Sequence, residues 1–164
     1  MLLQIKSPRR VAPQSIAASS RITYARFLKM NLPSPHVEWV DGKIIPMPPI
    51  SATHNDLGLF FLALLQVWVQ VHDAGELKYE PFQMKTGPDL PGRSPDILFV
   101  AKENLSRLKK NYLEGPADLV IEIASPKTRN IDRRAKFQEY EKGGVREYWL
   151  IDDPPAGRVL CAGP

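Results

Sequence analysis

Residues 116–128, PADLVIEIASPKT, decide the fold, because they combine a strongly apolar strand with a charged residue in its middle. The predicted strand covers residues 117–124. Strand side chains alternate between faces, which predicts two sets: Asp118, Val120, Glu122 and Ala124 on one face, and Leu119, Ile121 and Ile123 on the other. Burying an unpaired carboxylate costs several kcal/mol, so Glu122 needs a basic partner or a metal ion.

A second carboxylate, Asp96, stands at the start of another apolar strand, predicted over residues 95–101. If these strands are neighbours, Asp96 and Glu122 come close and repel each other unless a cation lies between them. Mg²⁺ prefers such oxygen ligands and keeps several waters, one of which can hydrolyse a phosphodiester. Two alternatives stay open at this point: Glu122 pairs with a lysine or arginine, and Asp96 only forms a turn.

The segment that follows Glu122, residues 125–140, reads SPKTRNIDRRAKFQEY and is rich in basic residues. It predicts a helix over 130–142, in which Asp132, Lys136 and Tyr140 share one face. Lys136 lies at the border of the core-facing side, where its stem can pack while its ammonium stabilises negative charge on a phosphate or orients water. The alternative is an ion pair with Asp132. The basic residues either contact phosphates or form a solvated surface.

The remaining elements follow from turn and capping signals. A hairpin is predicted around Asp41-Gly42, and a strand is predicted over 146–152. Three further elements complete the prediction: a short helix from Thr23 to about Lys29, a long helix from about His54 to Asp73 with Gly75 as its stop, and a strand over 77–85. Strands packed between helices are expected to form an α/β domain. The chain ends soon after a last strand begins near residue 157, so we expect a missing C-terminal piece.

Composition places limits on function and location. Of the 164 residues, 1–20 predict a mobile basic arm and 21–164 a single domain. The net charge is +4, but residues 1–30 hold six basic and no acidic side chains, so the body is near neutral and its charge is weak evidence for DNA binding. The single cysteine excludes an intramolecular disulfide or a cysteine-based zinc site. The single cysteine fits a reducing compartment, and the N-terminus lacks the apolar h-region of a secretory signal. We therefore expect a cytoplasmic protein.

The most apolar run is 57–71, LGLFFLALLQVWVQV. It is shorter than the ~20 residues that a bilayer span requires and contains Gln66 and Gln70. We therefore expect no membrane helix. The run predicts a helix that is buried or shared with a second subunit, and a homodimer suits two-stranded DNA.

Together these motifs resemble the PD-(D/E)XK nuclease superfamily and, more closely, the restriction-endonuclease family called Uma-two. The resemblance extends from about residue 36 to 152. The matching pieces are HVEWVDGKI (36–44), SATHNDL (51–57), SPDILFV (94–100), PADLVIEIASPKT (116–128), the spacing of Asp132, Lys136 and Tyr140, and GVREYWLID (144–152).

The resemblance implies a restriction-endonuclease-like α/β/α core, with a mixed central sheet flanked by helices. It also implies a DNA endonuclease that depends on Mg²⁺ or Mn²⁺, with Asp96 and Glu122 as metal ligands. The superfamily's usual lysine would stand two residues after Glu122, where this chain has Ala124. Lys136, supplied by the following helix, is the expected substitute, and Lys127 is the second choice.

Two further positions match the family pattern. Glu38, in the first hairpin, is expected either to join the catalytic site or to pair with a basic group. His54, at the start of the long helix, either takes part directly or only caps the helix. Because Ala124 replaces the usual lysine, a rival hypothesis is a nuclease-fold module that binds DNA or regulates but no longer cuts.

Overall fold

The computed structural model describes residues 21–125 and 128–152. The arm 1–20, Lys127 and the strand predicted near residue 157 lie outside the described residues. The helical elements are α1 (Tyr24–Phe27), α2 (Ala52–His72), a 3-10 helix (Lys102–Arg107), a π-helical segment (Ile131–Lys136) and α3 (Phe137–Gly143). The described strands are β1 (Val37–Val40), β2 (Lys43–Pro46), β3 (Gly75–Tyr79), β4 (Gln83–Lys85), β5 (Gly92–Arg93), β6 (Ile97–Ala101), β7 (Tyr112–Glu114), β8 (Leu119–Ala124) and β9 (Glu147–Asp152).

These strands form two mixed sheets flanked by helices, in the orders β3-β6-β8-β9 and β2-β1-β5-β4-β7. The predicted α/β class is confirmed, but the single strand predicted over 77–85 was wrong. The chain turns at Pro81, which has no amide N–H to donate, and Phe82 N donates to Tyr79 O at 3.1 Å. β3 and β4 therefore join different sheets.

The four-stranded sheet is covered on both faces. One face, rich in isoleucine, packs against α2, and its buried residues are Ile97, Leu119, Ile121, Ile123 and Ile151. The other face packs toward α3 and the second sheet through a cluster that includes Leu98, Val120 and Tyr140. The predicted alternation along β8 is therefore confirmed. Each buried aliphatic side chain of this size stabilises the fold by about 1.5–3 kcal/mol.

Strand register brings the two predicted carboxylates together. β6 and β8 are antiparallel, and Ile97 pairs with Ile121 while Leu98 pairs with Val120. One more step in the same register sets Asp96, just before β6, opposite Glu122. The sequence supplied the strands but not their pairing, so this neighbour relationship is a property of the fold.

Turns and helix ends follow local backbone chemistry. Asp41 and Gly42 have φ of 50° and 80°, as the predicted two-residue hairpin requires. Helix α2 is capped by the Ser51 side chain and ends at Asp73, which adopts the left-handed conformation. The predicted stop at Gly75 was wrong, because Gly75 already begins β3. In the part of the chain that the structure describes, no helix is long and apolar enough to cross a membrane.

Candidate active site

Glu122 is buried in the middle of β8, and both of its carboxylate oxygens have partners. Tyr140 Oη donates to Oε1 at 2.6 Å, and Lys136 Nζ lies 2.9 Å from Oε2. Burial, opposed by Lys136 and Tyr140 and aided by Asp96 and Asp132, raises the pKa of Glu122 to about 8. Glu122 therefore competes for a proton near neutral pH unless another cation reaches it.

Lys136 is buried among three carboxylates. Besides Glu122, its Nζ lies 3.2 Å from Asp132 Oδ1 and 3.6 Å from Glu38 Oε1. Burial alone would lower the pKa of Lys136, but the charges of Glu122, Glu38 and Asp132 raise it well above its usual value. The side chain is therefore an ammonium ion at neutral pH, and the predicted alternative, a pair with Asp132, coexists with the contact to Glu122.

The helix that carries Lys136 begins with a π-helical segment, Ile131–Lys136, and continues as α3. Such wide turns interrupt the regular helical spacing and are frequent at functional sites. Asp132, Lys136 and Tyr140 are all buried, as their predicted common face requires. Tyr148 Oη supports the segment by donating to the main-chain oxygen of Asp132 at 3.1 Å.

Asp96 is fixed by β8 and by the first turn of α2. The main-chain N–H of Ile123 donates to Oδ2 at 2.6 Å, and His54 Nε2 lies 3.2 Å from Oδ1. Helix capping positions the histidine, since His54 N donates to Ser51 Oγ at 3.0 Å. His54 therefore belongs to the capped turn and also contacts Asp96, a predicted metal ligand.

Glu38, on β1, pairs with a basic group that the sequence did not reveal. Its Oε2 accepts from Arg93 Nη1 at 2.7 Å. Arg93 also donates through Nε and Nη2 to the two oxygens of Glu139, both at 2.7 Å. Glu38 therefore links Arg93 to Lys136. Arg93 was missed because β5 has only two residues and offers no periodic pattern to read.

Several predicted residues line one cleft. The polar residues that line it are His54, Glu80, Asp96, Glu122, Ser125, Thr128, Asp132 and Lys136, and the segment 47–50 adds apolar contacts. Glu38 does not line this cleft. Glu80 was missed, because the expected continuous strand hid the turn that places it there; its Oε1 lies 3.2 Å from His36 Nδ1. The sequence signal that could have found Glu80 is the Glu80-Pro81 dipeptide, an acidic residue directly before proline.

The basic segment after Glu122 folds back on the end of β9. Arg129 Nε lies 3.0 Å from Asp152 Oδ1, and Arg133 Nη2 lies 2.6 Å from Asp152 Oδ2. Arg134 is exposed. Part of the predicted basic patch is therefore paired, and part of it faces solvent.

The site carries more negative than positive side chains. Among the described residues, Lys136 and Arg93 are the cations of a network that holds four carboxylates: Glu38, Glu122, Asp132 and Glu139. Asp96 adds a further negative charge at the cleft. Within the described ranges, no group of three or more His, Cys, Asp or Glu side chains is arranged to hold a metal ion. A metal site on the predicted pair, Asp96 and Glu122, would have two carboxylates, and Mg²⁺ bound by so few protein ligands usually keeps several waters.

The fold is nuclease-like. A solved structure from Anabaena variabilis, described as a putative nuclease belonging to DUF820, is 24% identical and superposes with a TM-score of 0.66, covering 80% of this chain and 74% of that one. A family model described as "Putative restriction endonuclease" matches residues 24–162. The chain therefore belongs to this family, Uma2, as predicted. No curated protein matches the sequence.

Proposed function

We propose that this protein is a metal-dependent DNA endonuclease that hydrolyses phosphodiester bonds. The observation that carries the proposal is the contact of 2.9 Å between Lys136 Nζ and Glu122 Oε2. It brings a helix-borne lysine to a strand carboxylate, and Asp96 stands opposite that carboxylate on the neighbouring strand. This supplies a lysine to the site although Ala124 occupies the usual position.

Each group has a role in this proposal. Asp96 and Glu122 would hold Mg²⁺ or Mn²⁺, which would supply an activated water and neutralise charge on the phosphate. Since the Lys136 side chain stays an ammonium ion, it cannot take the proton of the attacking water. It instead stabilises the negative charge that builds on the phosphate oxygens. The water oxygen bonds to phosphorus and loses its proton to solvent, and the bond to the ester oxygen breaks as that oxygen takes a proton from solvent. Glu38 is a positioning residue, because it does not line the cleft but lies 3.6 Å from the Lys136 ammonium.

A second candidate function is a nuclease-fold module that binds DNA or regulates without cutting. It is favoured by one observation: Lys136 and Tyr140 already occupy both oxygens of Glu122. A metal ion must displace or share these contacts. If Glu122 holds Lys136 and Tyr140 too tightly, the site keeps its fold without binding metal.

Cleavage assays test the proposal. Supercoiled plasmid, linear duplex and single-stranded DNA are incubated with Mg²⁺, with Mn²⁺ or with a chelator. We expect cleavage with metal only, lost in Asp96→Asn and in Glu122→Gln. The exposed residues Asp89 and Glu141 offer matched controls, Asp89→Asn and Glu141→Gln, which keep activity. Retained cleavage in either site variant contradicts the assignment.

Calorimetric titration separates the two candidates. The endonuclease binds Mn²⁺ in a manner that Glu122→Gln abolishes. A protein that binds DNA but takes up no metal at millimolar concentration is the non-cutting module. Salt dependence of DNA binding gives a further readout, because contacts from the exposed Arg134 to phosphates weaken as counterions compete.

A further inference from the structure

Helix α2 is apolar on more sides than its own sheet covers. Leu57, Phe61, Leu62 and Leu65 pack against the isoleucine-rich face of the four-stranded sheet. Residues 57–71 contain no charged side chain, even on the opposite side. A helix that is hydrophobic all round is ordinarily buried all round.

The exposed side has a regular spacing. Phe60, Leu64, Val67 and Val71 follow each other by four, three and four residues, and 59%, 56%, 62% and 74% of their surfaces are exposed. This is the spacing of the contact positions in a coiled coil. Trp68 lies beside them and is also exposed. We call these five residues the α2 stripe.

We propose that the α2 stripe is a homodimer interface that packs against the α2 stripe of a second copy of this chain. A coiled-coil spacing is self-complementary, since the knobs of one helix fit the holes of an identical one. The stripe has no charge that would favour a nucleic acid or an oppositely charged protein. A second copy therefore matches it in shape and in polarity.

The exposed area is sufficient for such a pair. From the exposed fractions, the stripe offers about 500–600 Å² per chain, so two copies bury about 1,000–1,200 Å², near the ~1,000 Å² that a specific interface needs. An apolar groove between α2 and the sheet extends the same surface through Leu77, Phe99 and Trp149.

The edge of that groove resembles the rim of an interface. Its lining includes the exposed Arg146 and Glu147 and the buried Asp118, which lies 3.6 Å from Arg146 of the same chain. An apolar centre with a polar rim is the usual composition of protein interfaces. Arg146 and Glu147 therefore supply the charged rim, while Asp118 is held inside the chain.

The pairing leaves the candidate active site open. His54, which contacts Asp96, is buried toward the sheet. The stripe begins more than one turn later, and none of its five residues lines the cleft. The dimer interface and the cleft therefore use different surfaces, and dimerisation is independent of the proposed function.

Sedimentation velocity and light scattering of the full chain at micromolar concentration test the inference. The wild type is expected at twice the mass of one chain. Val67→Glu and Val71→Glu, which change exposed residues, are each expected to sediment as monomers with unchanged far-ultraviolet circular dichroism. The matched control Gln66→Glu adds the same charge on α2 outside the stripe and stays dimeric.

Other outcomes overturn the inference. A monomeric wild type means that the α2 stripe is not a homodimer interface. This holds whether the stripe is covered by another part of the chain or binds vesicles of neutral lipid. A dimer that survives both Val67→Glu and Val71→Glu forms through another surface. Two variants are used so that misfolding of one, visible in its dichroism, still leaves a decisive result.

Discussion

Lys136 Nζ and Glu122 Oε2 lie 2.9 Å apart, although Lys136 belongs to a helical segment and Glu122 belongs to strand β8. The contact is buried, and the other carboxylate oxygen of Glu122 accepts a hydrogen bond from Tyr140. Its geometry depends on how the helix docks against β8 rather than on the spacing of residues along the chain. Several consequences can be measured.

Removing the ammonium of Lys136 is expected to affect both activity and stability. Lys136→Met keeps the apolar stem but leaves three carboxylates facing one another. Loss of a charge that stabilises the transition state lowers cleavage by about 10²–10³-fold, and breaking a buried pair lowers the free energy of unfolding by about 3–5 kcal/mol. Plasmid cleavage and urea unfolding measure the two effects. Exposed Lys142 gives the control Lys142→Met, and full cleavage by Lys136→Met would exclude a role for the ammonium.

The hydroxyl of Tyr140 is expected to contribute mainly through Glu122. At about pH 9, where Glu122 is ionised, Tyr140→Phe removes a hydrogen bond to a charged group, which lowers the free energy of unfolding by about 1.5–3 kcal/mol. Since that bond lowers the pKa of Glu122, its loss moves the pH profile of metal binding upward. Calorimetry across pH measures the shift. Tyr79→Phe, at an exposed tyrosine, is the control, and an unmoved profile argues that Tyr140 only packs.

Metal affinity is expected to rise with pH up to about 8. Burial raises the pKa of Glu122 from its ordinary value of 4.5 to about 8, so the folded chain keeps a proton that the unfolded chain releases. Without metal, stability from this proton is present at low pH and is lost as pH rises through about 8. A metal ion must displace the proton, so below that pKa its affinity rises by about tenfold per pH unit.

Mn²⁺ titrations from about pH 6 to about pH 9, in buffers with different ionisation enthalpies, measure this affinity and the proton release together. The affinity levels off above the pKa. An affinity that does not change with pH in this range contradicts the assignment of Glu122 as a ligand that must first lose a proton.

The guanidinium of Arg93 is expected to be irreplaceable by lysine. It contacts Glu38 through one nitrogen and Glu139 through two others, and a lysine ammonium cannot reproduce that planar arrangement. We expect Arg93→Lys to lower the free energy of unfolding by about 1–3 kcal/mol. It also lowers kcat more than it changes KM, because Glu38 loses the partner that positions it beside Lys136. The exposed Arg146 gives the control Arg146→Lys, and equal effects of the two variants would argue against a positioning role.

The central part of the fold could be predicted because its signals are local. The alternation in β8, the Asp41-Gly42 turn and the face shared by Asp132 and Lys136 depend on periods and turn chemistry that a single segment carries. The family resemblance identified the fold class for the same reason, since its motifs lie within these segments.

The rest of the site depends on tertiary structure. Nothing in the spacing of Asp96 and Glu122 specifies that their strands pair antiparallel and in this register. Arg93 lies on a strand of two residues, too short for a pattern, and Glu80 enters the cleft only because the chain turns at Pro81. The strand predicted over 77–85 is divided at the same turn into β3 and β4, which join different sheets.

Strands position Asp96 and Glu122, whereas a helix positions Lys136, and this difference affects how activity responds to local unfolding. Pairing of β6 with β8 aligns Asp96 with Glu122, whereas a chain whose helix after residue 130 has detached keeps two carboxylates but has no lysine beside them. The proposed cleavage therefore requires this helix to be docked. On heating, cleavage is lost first if this helix detaches while the sheet persists, so inactivation then precedes global melting.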